Sequence, residues 1–430
     1  MIIIVGAGLA GLTCAKRLTE AGHTVLVLEG ADQVGGRVRT DYHEDGYRLD
    51  RGFQLLFTSY AAARRHLHYD TLKLRKFEPG AILVKKGKLY EISDPLREPT
   101  HAVRSLLNPL LSVADKARLL RLRTRFSAVS SGDIFAGKAQ DGTDESTENY
   151  LRRLGFSSKF IDNFMRPFYG GIFLDRSLST SARMFQFTFK MLANGDAIIP
   201  AEGMQRIPEQ LAATLPEGSI RRNARVKELL IEGNSVKGVV LTNGERIEAE
   251  QVVVATASLE AARLTKLSLP DDAIGSVCLY FAGDERLYPQ RKILLNTDPQ
   301  SLVNNAVLLT NIAPTYAPRK KHLLSVTVLG NPAEDDEALA DRCRAEIAGW
   351  FPHHNPRTWQ LLAVYRIPFS QFAQPAGIYD RLPDNQTEIE GLYLAGEYTK
   401  SSSIQGAMHS GEHAAQALLS SPQLATSLQQ

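Results

Sequence analysis

Cysteine is scarce and scattered. Cys14, Cys278 and Cys343 are the only three in 430 residues. They are too few and too far apart for a disulfide framework or a cysteine metal site, and a reducing compartment is favoured. The ten histidines show no metal-ligand spacing; His66/His68 and His353/His354 read as surface residues, so no metal is expected. Long apolar runs are missing as well, none approaching the ~18 residues of a membrane-spanning helix. With 50 basic against 47 acidic residues the net charge is +3. No extended basic tract exists, which leaves nucleic-acid binding without support. The strand predicted from residue 2 leaves no room for a cleaved leader. The expected location is cytoplasmic, with peripheral attachment to a membrane left open.

What the chain does have is concentrated in its first thirty residues. Ile2-Ile3-Ile4-Val5 is an apolar, β-branched run followed by Gly6-Ala7-Gly8-Leu9-Ala10-Gly11. A helical stretch to Ala21 and the apolar run Val25-Leu26-Val27-Leu28 come next, and then Glu29. Strand, glycine turn, helix, strand and acid in this order form a dinucleotide-binding unit. Gly6 permits the tight turn, Gly8 lets a pyrophosphate approach the backbone, and Gly11 lets helix and strand pack. The free amides of Leu9 and Ala10 at the helix start, with the helix dipole, suit phosphate oxygens. Glu29 is placed to accept the ribose hydroxyls and would repel a 2′-phosphate. The fingerprint alone does not choose between NAD and FAD.

Gly35-Gly36-Arg37 follows the acid, offering unusual φ angles and a planar fork of donors to a phosphate. Gly46 to Gln54 reads as a strand running into the glycine turn Gly52-Phe53. A hairpin is predicted at 81–84 and 88–92. Residues 97–126 have a helical period, with seven basic groups (Arg97, Arg104, Lys116, Arg118, Arg121, Arg123, Arg125) against Glu98 and Asp115 among leucines. Such a stretch can lie at a membrane interface, although Pro109 should kink it. Residues 132–147 look like a mobile linker, with Ser146 or Thr147 capping the helix that follows. Strands are predicted at 225–232, 236–241, 277–282, 293–295, 306–310, 323–329 and 361–364, and a helix near 335–350. The chain then returns to a buried strand, Leu392-Tyr393-Leu394-Ala395-Gly396-Glu397, and to a small-residue helix from Ile404-Gln405-Gly406-Ala407.

The glycine fingerprint, Glu29, the Gly35-Gly36-Arg37 turn and Leu49-Asp50-Arg51-Gly52-Phe53 together resemble the N-terminus of the flavin amine oxidase superfamily. That superfamily includes monoamine and polyamine oxidases, protoporphyrinogen oxidases and carotenoid desaturases. The stretch 394–415 resembles its C-terminal flavin motif, and residues 166–204 resemble the protoporphyrinogen oxidase and plant-type desaturase branches. The resemblance implies FAD, with Arg37 near the pyrophosphate and Gly52-Phe53 beside the isoalloxazine. It implies that Val226 holds the adenine through its backbone and that Gly396-Glu397 meets the pyrophosphate and ribityl chain. The amides of Ile404, Gln405 and Ala407 would lie at N1 and O2 of the flavin. Two departures stand out. Where the amine oxidases carry an aromatic residue, this chain has Ser401-Ser402-Ser403-Ile404, and no cysteine near residue 400 could bind flavin covalently.

The resulting expectation is an α/β plus α+β chain of two domains. A Rossmann-type FAD-binding domain takes 1–78, 196–272 and 381–419, and a substrate domain of antiparallel sheet plus helices takes 79–195 and 273–380. Residues 420–430 form a flexible tail. The expected reaction is hydride transfer to non-covalent FAD from a bulky apolar molecule, carotenoid-like or tetrapyrrole. Alternatives are a flavin amine oxidase acting on a soluble amine, a catalytically silent flavoprotein and an NAD-dependent dehydrogenase. Catalytic side chains and oligomeric state stay unassigned.

Overall fold

A computed structural model describes residues 1–93, 97, 112–139 and 143–421. The run Ile2–Val5 forms a strand with every side chain buried. It lies at the centre of five parallel strands in the order Ile220–Arg221, Val25–Leu28, Ile2–Val5, Val252–Val254, Leu392–Leu394. Unbroken apolar runs suit strands covered on both faces. Ile2 and Ile4 point to the helix side, while Ile3 and Val5 meet the small sheet Val226–Glu232, Ser235–Leu241, Arg246–Glu248. On the helix side Leu9–Glu20 packs against Ile404–Leu419. The two axes come close because Gly411 has no side chain; a Cβ there would stand 2.3 Å from the carbonyl oxygen of Ala10.

The predicted hairpin forms as Gly80–Lys85 and Lys88–Ser93 and joins the edge of a seven-stranded sheet. The order is Gln360–Phe372, Ala273–Gly283, His322–Leu329, Val303–Leu308, Ile293–Asn296, Gly80–Lys85, Lys88–Ser93. Ile293–Asn296 and Gly80–Lys85 run parallel, so the sheet is mixed where an antiparallel one was expected. These strands are far apart in the chain, and no hairpin turn sets their relative direction. Pro368 interrupts Gln360–Phe372 without harm, because that strand is an edge and one side needs no donor. The strand expected at 306–310 ends at Leu308, and Leu309–Ile312 makes a helical turn.

The described parts of 132–147, residues 132–139 and 143–147, are packed rather than forming the expected linker. They begin inside the helix Ser131–Phe135 and end with Thr147 buried. Asp144 accepts from Ser181 Oγ at 2.6 Å and from the Gly377 amide at 2.9 Å, and Thr147 Oγ1 donates to Thr180 O at 2.7 Å. Ser146 does cap the next helix, accepting from the Asn149 amide at 3.2 Å. His66 is buried rather than on the surface, its Nε2 2.8 Å from Glu412 Oε1. Burial raises the Glu412 carboxyl, but hydrogen bonds from His66 and Arg65 outweigh that and hold it at about 2.

Of the basic stretch 97–126, Arg97 and the helix Val113–Ser127 are described; 98–111, with Arg104 and Pro109, lie outside the described residues. Much of its charge is used internally. Arg97 and Arg123 donate to carbonyls of Leu192, Ala193 and Gly195 at the end of the helix Ala182–Asn194. Arg125 donates to Ala139 O, and Arg118 lies 3.5 Å from Asp115. Arg121, Val113 and Leu120 are exposed. No helix among the described residues is long and apolar enough to cross a membrane. The expected tail lies outside the described residues from 422 onward.

Candidate active site

A cavity of about 1100 Å³ runs between the parallel sheet and the seven-stranded sheet. At one end Glu29, Arg225, Val226 and Glu260 line it; at the other, Gly52, Phe53, Ile404 and Ala407. The glycine turn lies between these ends. Gly6 adopts φ +106°, and a Cβ on it would stand 2.8 Å from Ala255 O. Gly8 is different: its φ of −74° suits any residue, and a Cβ there would meet nothing within 4 Å, because it would project into the cavity. The helix that follows has no side-chain cap and no acid in its first turn. Its first bond back is from the Leu12 amide to Gly8 O, which leaves the amides of Leu9, Ala10 and Gly11 available. This is a cradle for an anion, open where a phosphate needs room.

Glu29 accepts from the amides of Ala7 at 2.7 Å and Ala31 at 2.9 Å, which fixes its carboxylate at the end of the second strand. Gly35 and Gly36 line the same wall, and Arg37 reaches Glu397 at 2.5 Å and Ser370 O at 2.9 Å. Ser402 Oγ donates to the other oxygen of Glu397 at 2.7 Å. Gly396 is packed against its neighbour, since a Cβ there would meet the Tyr398 ring at 2.2 Å. Of the predicted cofactor residues, Gly6, Gly8, Leu9, Ala10, Glu29, Gly35, Gly36, Arg37, Gly52, Phe53, Val226, Gly396, Glu397, Ile404 and Ala407 line the cavity.

Gly11 and Gln405 are not among the lining residues. Gly11 serves the packing: a Cβ would stand 2.0 Å from Gly6 O. Gln405 turns its side chain away and accepts from the Ala62 amide at 2.9 Å. The helix Ile404–Leu419 is also capped, its Ser403 Oγ accepting from the Gly406 amide at 2.8 Å while the Ala407 amide bonds Ser403 O. That leaves the amides of Ile404 and Gln405 as the donors that face no helical partner.

The turn Arg51-Gly52-Phe53 is held from behind. Asp50 is buried and accepts from Thr40 Oγ1 at 2.5 Å, the Met204 amide at 3.0 Å and Tyr316 OH at 2.8 Å. Burial outweighs these bonds and pushes its carboxyl up to about 6. Gly52 has φ +92° and lies against Ile367. Sequence reasoning missed Tyr60, Met184, Thr188, Cys278, Thr327, Tyr365 and Gln371, which also line the cavity. No local signal marks them, because all but Tyr60, which precedes the helix Ala61–His66, come from helices and strands whose own patterns are those of ordinary core. Burial pushes the Cys278 thiol up to about 11, so it stays protonated. No group of histidines, cysteines and acids among the described residues could hold a metal.

A dinucleotide with a long tricyclic end fits this cavity: an anion cradle in the middle, a carboxylate for a ribose at one end, and glycine turns at the other. The comparisons agree. The sequence pattern described as flavin containing amine oxidoreductase matches residues 9–419. The 15-cis-phytoene desaturase of Solanum lycopersicum is 27% identical over 475 residues, covering 97% of this chain and 77% of that one. Two solved structures share the fold. An oxidoreductase from Methanosarcina mazei has TM-score 0.74 at 20% identity, covering 98% of this chain and 100% of that one. A putrescine oxidase bound to putrescine has TM-score 0.71 at 18% identity, covering 98% and 99%. The chain thus belongs to the flavin-containing amine oxidoreductase family, and the protein is an FAD-dependent oxidoreductase.

Proposed function

We propose that the protein oxidises a bulky apolar molecule, a carotenoid-like polyene or a tetrapyrrole, at non-covalently held FAD. One observation carries this reading. A second chamber of about 540 Å³ adjoins the cofactor cavity, and the two share the wall made by Phe53, Leu55, Phe57, Gly171 and Ile172. Phe164, Met165, Phe168, Phe189, Leu192 and Ile293 line the chamber. A cavity walled by phenylalanines and aliphatic side chains binds by removing apolar surface from water. It offers little to a small charged amine, whose desolvation no unpaired acid among the described residues of the wall would offset. Among the described residues Glu78 and Asp196 are the chamber's acids, and Arg291 and Arg97 already neutralise them. The relative from Solanum lycopersicum, whose name carries 15-cis-phytoene, supports the same class.

FAD, when bound, accepts a hydride at N5. The segments 1–78, 196–272 and 381–419 are assigned to holding it, and 79–195 and 273–380 to holding the substrate. In this assignment Glu29 meets the adenosine ribose, the amides of Leu9 and Ala10 the pyrophosphate, and Gly52-Phe53 the isoalloxazine. Ala117 is exposed and lines the chamber, which puts it at the mouth. Ala117→Trp is expected to raise the half-saturating concentration of 15-cis-phytoene at least tenfold in anaerobic flavin reduction. Dye-driven reduction of the same flavin should be unchanged. Reduction of the wild-type flavin by putrescine, and by neither 15-cis-phytoene nor protoporphyrinogen, would overturn the apolar reading.

The mouth also bears on how such a substrate arrives. Val113, Ala117 and Leu120 lie on one helical face at spacings of four and three, with Val113 71% and Leu120 51% exposed. We infer that this face, with Arg121 beside it, rests on an anionic bilayer and passes lipid-dissolved substrate into the chamber. Flotation with anionic vesicles is expected, weakened by salt and by Val113→Glu with Leu120→Glu. Absence of flotation with every vesicle composition would remove the membrane from this account.

A further inference from the structure

The cofactor cavity and the apolar chamber meet at one place, and a bond under oxidation must lie there to be reached by both. Ile172, in the shared wall, is one residue from the end of the helix Arg166–Phe173. Its carbonyl is among those the helix cannot bond itself. Gln371, on the strand Gln360–Phe372, donates its Nε2 to that carbonyl at 2.7 Å. The bond fixes which way the amide faces, because the flipped amide would set two oxygens against each other. Gln371 lines the cofactor cavity, and its side-chain oxygen has no partner among the described residues.

Other polar residues that line the cavity are differently disposed. Arg366 is committed to Asp336 and to carbonyls of Pro332 and Glu334. Arg51 is committed to Asp41, Thr188 Oγ1 donates to Met184 O, and Ser276 pairs with Ser370. The free oxygen of Gln54 is sealed from solvent, with both bonds of its Nε2 directed to Arg37 O and Arg51 O. An oriented carbonyl dipole at the junction is therefore the contribution of Gln371.

We propose that Gln371 is a catalytic residue whose side-chain oxygen faces the substrate carbon that loses hydride; this rests on the apolar-substrate reading. As that C–H bond breaks, hydrogen and both electrons pass to the flavin, and the carbon becomes positive. The adjacent carbon then releases a proton to water, and the electrons of that second C–H bond complete the new C=C bond. The negative end of a fixed dipole beside the first carbon stabilises its charge.

Two variants of the holoenzyme test the assignment. Gln371→Glu sets a negative charge at the junction and is expected to lower the midpoint potential of the bound flavin by roughly 30 mV, a tenfold change in the two-electron equilibrium. Gln371→Leu is expected to leave the potential near wild type and to slow anaerobic flavin reduction by saturating 15-cis-phytoene about tenfold. Its half-saturating concentration should stay unchanged, and the glutamate variant should regain the rate. Wild-type potential and rate in both variants would overturn the proposal. A shifted potential in an enzyme that putrescine reduces and the polyene does not would keep Gln371 at the flavin. It would at the same time overturn the apolar reading and give the oxygen an amine N–H to accept.

Discussion

A valine at Gly8 is expected to leave the apoprotein folded and to remove FAD binding, whereas an alanine at Gly11 is expected to remove the fold. The two glycines are three residues apart in one motif, yet their surroundings differ. Gly8 has an ordinary backbone conformation and empty space where a side chain would go. The apoprotein should therefore melt within a few degrees of wild type. In the holoprotein the valine would occupy the room assigned to the pyrophosphate and displace it from the amides of Leu9 and Ala10. Charge-assisted hydrogen bonds contribute about 1.5–3 kcal/mol each. Losing two corresponds to at least a hundredfold in affinity, read by titrating flavin fluorescence. At Gly11 even a methyl group would stand 2.0 Å from Gly6 O and 3.1 Å from Ala255 Cβ. Both neighbours belong to the turn and the central sheet, and neither can yield without moving the strand Ile2–Val5. The cost belongs to the rare class above about 4 kcal/mol, and soluble yield should collapse. A yellow Gly8→Val protein with wild-type flavin content would place the pyrophosphate elsewhere.

The second large effect concerns acid. Stability attributable to Asp50 is expected to fall as pH rises from about 4 to about 6. Its folded carboxyl titrates at about 6 against 3.8 in an exposed carboxyl, so the native state binds the extra proton in that window. Stability falls with pH wherever the native state binds more protons than the unfolded one. At about 1.36 kcal/mol per unit the gap amounts to about 3 kcal/mol. Glu412 acts in the opposite sense and in another window, losing its contribution only as pH falls below about 4.5 toward 2. Urea unfolding in saturating FAD, at pH 4.5 and 7, should show the loss in wild type and its disappearance in Asp50→Asn. Asp50→Ala leaves Thr40, Met204 and Tyr316 without their acceptor. At about 1–3 kcal/mol for each stranded group, it should be destabilised at both pH values. Identical pH slopes in wild type and Asp50→Asn would show that Asp50 does not carry the effect.

The glycine turn and the helix from Ile404 were legible because each is set by neighbours within a few residues. Gly6 needs its positive φ whatever the rest of the chain does. The sheet at 273–372 was legible in parts, from apolar runs of strand length, but not in its order. Gly80–Lys85 finds Ile293–Asn296 by burial of Ile82, Leu83 and Val84, and no residue in either strand encodes the direction of pairing. His66 was misjudged for a similar reason: whether a six-residue helix turns its histidine inward depends on Glu412, far away in sequence. Gln405 sits inside a flavin motif yet spends its side chain on Ala62, which only the packed structure reveals. Gln371 had no signal at all. A glutamine near the end of a long strand is unremarkable until the end of another helix is set beside it.

The close approach of Leu9–Glu20 to Ile404–Leu419 has a consequence for the order of events during synthesis. A ribosome adds roughly 5–20 residues per second, so the first glycine turn emerges long before its partner helix exists. The strand Leu392–Leu394 and Gly411 follow the first helix by about 370 residues or more. Until they appear, one edge of the parallel sheet is open and the apolar side of the first helix has nothing to cover it. The nascent chain must be shielded over that interval, and flavin can be captured only once both have emerged.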